Sequence, residues 1–197
     1  MYINILAVFL YFIYMVFCTC SIKSPFFKRM LGIFIMCYLL ILLNITLFSR
    51  QIMSEKHIVL RLFYSYSEIW KQDWDYAGKY IMLTTIGNVF IFMPLGIGVM
   101  NFKRLYMKKR RVIFFAFLFS SFIEGAQLYT QLGTFEVDDL FHNTLGCYFG
   151  IQIYEVIKSW KNKEGYKVIW KEMFPVVCYG LFLMSVCVVP WLEYISR

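Results

Sequence analysis

With 197 residues, 60% of them apolar and 21% aromatic, the chain carries more hydrocarbon than a soluble surface can hide, which excludes an ordinary water-soluble domain. The formal charge of +8 does not point to nucleic acid, because Lys and Arg gather in short stretches between apolar runs, where membrane orientation explains them. All six Cys fall inside those runs, so no disulfide framework is implied.

Six runs approach the roughly 20 residues that cross a hydrocarbon core: 2–22, 30–49, 81–102, 112–132, 138–157 and 174–195. The fold expected is therefore an all-α, polytopic helix bundle in the membrane, a single domain over 1–197. The stretches 23–29, 103–111 and 158–171 hold 14 of the Lys and Arg residues against 6 on the other side, so the positive-inside rule places both termini outside the cell.

The first run lacks a preceding Lys or Arg and a small-residue cleavage site, and reads as a retained helix. The second interrupts its apolar character only at Asn44 and Thr46, which suits a scaffold helix. Between Arg50 and Tyr80, the residues Val59, Leu62, Phe63, Tyr66 and Trp70 recur at three- and four-residue steps opposite Arg61, Ser65, Glu68 and Lys71. That spacing predicts an amphipathic helix lying in the outer interface, as a surface anchor or as a lid over the polar residues described next.

The third run places Asn88 in hydrocarbon, then Phe92, Pro94, Gly96 and Gly98. A kink is expected at Pro94, and the glycines allow close approach of a neighbour. In the fourth, Ser120, Glu124, Gln127 and Gln131 share a face, since their steps follow the helical period. In the fifth, Asp139, His142 or Asn143, Gly146 and Gly150 do the same, the glycines forming a small-residue stripe for close packing.

These two runs form a hairpin with a short turn, and a rise of ~1.5 Å per residue puts Asn88, Glu124, Gln127 and Asn143 in the outer half of the membrane. A polar group turned to lipid is costly, so the side chains are expected to face one another around an outward-facing pocket. The candidate ligand-binding residues are Asn88, Glu124, Gln127, Asp139, His142 and Asn143, and the candidate structural residues are Phe92, Pro94, Gly96, Gly146 and Gly150. Glu124, Asp138 and Asp139 are the candidates for acid–base work, or, with Asn143, for hard oxygen ligation of Mg2+ or Ca2+, and His142 is a candidate proton relay. The sequence has no HExxH, GxSxG or phosphate-binding loop, and no cofactor or resident metal is implied.

The ordered set Asn88-x3-Phe92-x-Pro94-x-Gly96, Glu124-x2-Gln127 and Asp138-Asp139-x3-Asn143-x2-Gly146-x3-Gly150 resembles the VanZ-like family of bacterial membrane proteins, over roughly residues 33–157. Where that family often has an Arg leading the acidic corner, this chain has Gly133-Thr134. The resemblance implies a cell-membrane protein of the teicoplanin-resistance type, whose partners are membrane lipids and a lipid-linked cell-wall intermediate or lipoglycopeptide. Three readings stand open: binding of such a molecule in the pocket, an intramembrane enzyme acting on a lipid or cell-wall precursor, and an assembly partner in a membrane complex.

Overall fold

The computed structural model describes residues 8, 10–16, 25–48, 55–71, 77–101, 108–163 and 169–182. Among them the chain is mostly helical. In order come α1 (10–16), α2 (Pro25–Leu43, running into a π-helical turn at Asn44–Phe48), α3 (Tyr64–Lys71), α4 (Ala77–Asn101), α5 (Lys109–Thr130), α6 (Val137–Lys161) and α7 (169–182). Two short strands, β1 (Ile58–Val59) and β2 (Phe135–Glu136), pair in parallel, with Ile58 opposite Phe135 and Val59 opposite Glu136.

The side chains of α5 are distributed inside out. Ser120, Glu124 and Gln127 are buried, while Phe114, Phe115, Leu118 and Phe122 are exposed. In water that arrangement would forfeit hydrophobic burial and desolvate a carboxylate for nothing; against lipid it puts hydrocarbon in the hydrocarbon solvent and polar groups on polar partners. Exposed Met36 and Leu40 on α2, Leu83 and Phe90 on α4, and Phe174 and Leu181 on α7 repeat the pattern. Leu83–Asn101 and Lys109–Thr130 are long and apolar enough to cross a membrane, and Ile35–Leu47 is a shorter apolar helix. In α6, expected as the fifth span, His142, Asn143, Gln152 and Glu155 dilute the apolar character. Much of the expected first and last spans lies outside the described residues.

Helix α6 packs most extensively on α4, and three glycines make that contact possible. A Cβ at Gly146 would overlap the Val89 carbonyl, one at Gly150 the Met93 carbonyl, and one at Gly96 the Cys147 carbonyl. The contacts rise together along both helices, from Val89 to Met93 and from Gly146 to Gly150, so α4 and α6 run in the same direction, joined in chain order by α5. The expected small-residue stripe is thus the α4–α6 interface, whereas the atoms nearest a Cβ at Gly98 are side-chain atoms of Ile35 and Met15. Helix α4 continues through Pro94, which is buried, as is Phe92. Phe92 joins Tyr11, Met15, Tyr38, Leu42, Ile97 and Ile123 in a core shared by α1, α2, α4 and α5.

The amphipathic helix expected from Val59 onward begins only at Tyr64. The residues before it are extended, because the backbone at Ile58–Val59 pairs with the turn between α5 and α6 and the Phe135 N–H donates to the His57 carbonyl at 3.0 Å. Phe63 then reverses the chain with φ at 62°, a conformation that costs a non-glycine residue and needs outside support.

Candidate functional site

The polar residues at the start of α6 fall on two faces, because neighbouring positions of a helix point ~100° apart. Asp139 and Asn143 look toward α4 and α5; Asp138 and His142 look toward α3 and α7. One cluster expected from the sequence is therefore two, back to back on one helix.

On the first face, Asn88 of α4 donates from Nδ2 to Asp139 Oδ1 at 2.5 Å. One turn deeper, Asn143 donates from Nδ2 to Ser120 Oγ of α5 at 2.9 Å. Glu124 lies one turn from Ser120 on the same buried face, 1% exposed, and its Oε2 accepts the Glu136 N–H at 3.1 Å. That bond ties α5 to the residue at the N-cap of α6 and supplies an acceptor where the helix start has N–H groups to satisfy. Gln127, also 1% exposed, donates from Nε2 to the Thr46 carbonyl at 2.8 Å, in the π-helical turn that ends α2. Helix α5 stops three residues later, with Gln131 in the left-handed region at φ 58°. Among the described residues, the amide oxygens Gln127 Oε1 and Asn143 Oδ1 are buried without a hydrogen-bond partner. A buried acceptor left unpaired is costly, so these two are the atoms of the cluster that ask for a further group.

On the second face, Asp138 grips the N-terminus of α3. Its Oδ1 accepts the Phe63 N–H at 2.5 Å and its Oδ2 the Ser65 N–H at 2.8 Å. A carboxylate from a remote helix does here what a local Ser or Asp does at an ordinary helix start, and it holds Phe63 in its unfavourable φ. One turn along, His142, fully buried, meets the Tyr66 hydroxyl at 2.5 Å through Nε2, and that hydroxyl lies 3.0 Å from the hydroxyl of Tyr179 on α7. A hydroxyl carries one proton, so Tyr66 can donate toward one neighbour while accepting from the other.

Of the sequence candidates, Asn88, Glu124, Gln127, Asp139 and Asn143 thus line the seam of α4, α5 and α6, while Asp138 and His142 secure α3. Sequence reasoning missed two contributors. The Thr46 carbonyl is a backbone group with no residue-type signal, and the His142–Tyr66–Tyr179 chain joins residues too distant in sequence for spacing to relate them. Among the described residues, no three His, Cys, Asp or Glu side chains gather into a metal-ligating group. At the opposite end of the bundle, Lys109 bridges Glu172 at 3.3 Å and Glu155 at 3.9 Å, joining α5 to α7 and α6.

Comparison with known proteins matches residues 30–158 to the VanZ/LLP1 family. No curated protein and no solved structure matches the chain.

Proposed function

The chain belongs to the VanZ/LLP1 family of membrane proteins, and from that premise we propose that it binds the polar head of a lipid-linked or lipoglycopeptide-type molecule at the α4–α5–α6 seam. The observation that carries this reading is the pair of unpartnered oxygens, Gln127 Oε1 and Asn143 Oδ1, in a buried cluster that also holds Glu124 and Asp139. The helices around it turn hydrocarbon outward, which suits a ligand with a polar head and an apolar body. Teicoplanin resistance, implied by the VanZ-like resemblance, involves a ligand of that kind. In this reading the six-span topology stands, both termini are outside, and the seam opens toward the outer leaflet. Support for binding over intramembrane acid–base catalysis comes from Asp138, whose two oxygens are both occupied by backbone N–H groups of α3.

The test is native mass spectrometry of the full chain released from membranes, comparing wild type with Gln127→Ala and Asn143→Ala. A lipid-linked species retained by the wild type and lost from both inserted, folded variants is the expected result. Identical retained species at identical occupancy in all three would refute the proposal.

A further inference from the structure

Resting on that binding reading, we infer that the group recognised at the seam is a primary ammonium, as on an aminated headgroup, and not a phosphate. Gln127 Nε2 is spent on the Thr46 carbonyl, which can only accept, so the amide cannot be turned round and Oε1 must face away from it. Asn88 Nδ2 donates one N–H to the Asp139 carboxylate, and Asn143 Nδ2 one to Ser120 Oγ. Each of these amide nitrogens thus gives one of its two N–H groups to a protein acceptor. Among the described residues, the amide atoms with no partner at all are oxygens, Gln127 Oε1 and Asn143 Oδ1, on side chains 1% and 2% exposed.

Glu124 stands between them along the buried face of α5, four residues from Ser120 and three from Gln127, and adds a carboxylate to the same strip. The basic residues of these two helices stand at their other ends: Lys109, Arg110 and Arg111 begin α5, and Lys158 and Lys161 close α6. A phosphate brought to the seam would meet two unpartnered oxygens and the Glu124 carboxylate with the Lys and Arg of both helices at their far ends, in a place where charge is poorly screened. An ammonium has three donors and no acceptor, the complement of this arrangement. The charge alone is not the whole requirement: the unpartnered oxygens call for N–H groups, which a quaternary ammonium lacks. A primary amine is therefore preferred over choline as well as over an acidic headgroup.

The experiment uses the full chain purified in detergent and measures lipid retention by native mass spectrometry alongside thermal stability. The probes are phosphatidylethanolamine, phosphatidylcholine and phosphatidylglycerol with identical acyl chains, plus dodecylamine and free ethanolamine. Phosphatidylethanolamine and dodecylamine are expected to be retained and to stabilise, with phosphatidylglycerol roughly tenfold weaker, the factor set by losing one charge-assisted hydrogen bond. Phosphatidylcholine is expected to fall between them. Free ethanolamine matching the lipid would place recognition in the ammonium alone; ethanolamine active only at far higher concentration would place it in a lipid headgroup, and either supports the inference. Gln127→Leu should lose the preference. Because that variant also gives up the Thr46 contact, Glu124→Gln is the second arm: its amide oxygen can still accept the Glu136 N–H, and the preference for amines should drop with the fold intact. Equal retention of all three phospholipids, or an unchanged amine preference in folded Glu124→Gln, overturns the inference. Selective retention of phosphatidylglycerol that is lost in Asn143→Leu would leave the binding reading standing and sink the ammonium. Retention independent of Gln127, Glu124 and Asn143 would sink both.

Discussion

Replacing Asp138 by Asn is expected to release α3 from the bundle while leaving the α4–α6 interface in place. The carboxylate is 2% exposed and accepts the Phe63 and Ser65 N–H groups at 2.5 and 2.8 Å, so each of its oxygens has a donor aimed at it. Asn keeps one acceptor oxygen and turns an NH2 toward the other N–H, whichever way the amide sits. One charge-assisted bond worth about 1.5–3 kcal/mol is lost, and one N–H is left facing a donor. Phe63 also loses support for its positive φ, a conformation costing about 1–3 kcal/mol. These terms overlap, and a combined loss of about 2–4 kcal/mol corresponds to a roughly 30- to 900-fold rise in the opening equilibrium of α3. Hydrogen exchange on the protein in lipid nanodiscs reads this directly. Peptides covering 63–71 should exchange faster by that factor, and peptides covering 89–97 should not change. Unchanged exchange over 63–71 would show that Asp138 does not hold α3, and equal acceleration in both regions would show that it holds the whole fold instead.

Tyr66→Phe should destabilise α3 docking by about 1–3 kcal/mol, since it strips the buried His142 Nε2 of its partner, and Tyr179→Phe, which leaves the Tyr66–His142 contact, should cost less; urea-induced unfolding in detergent distinguishes them. Gly146→Ala and Gly150→Ala should each cost about 1–3 kcal/mol by driving a methyl into an α4 carbonyl, whereas Gly125→Ala, with open space around it, should be neutral or stabilising in the same urea-induced unfolding assay. For topology, a cysteine introduced at Thr134 should react with an impermeant thiol reagent from outside intact cells and one at Lys108 should not, and the reverse pattern would invert the seam's orientation.

The membrane character of the chain, the helical stripes and the small-residue interface were all legible in the residues themselves, because they depend on local period and composition. Steps of three and four placed Ser120, Glu124 and Gln127 on one buried face, and Gly146 and Gly150 on one packing face, before any neighbour was known. Period alone cannot choose between adjacent positions on a polar stripe, and there the tertiary structure decided. Asp138 and Asp139 are alike in sequence, yet ~100° of helical rotation sends one to the backbone of α3 and the other to Asn88. The start of α3 was likewise outside the reach of pattern: Val59, Leu62 and Phe63 fit a helical spacing, but the ladder with β2 and the distant Asp138 carboxylate compete for that backbone and win. Thr46 contributes a carbonyl exposed by the π-helical turn, and a backbone group has no residue type to betray it. Local sequence determined which faces are polar, apolar or small; only the packing of three helices decided which polar atoms spend their hydrogen bonds on one another and which two oxygens remain.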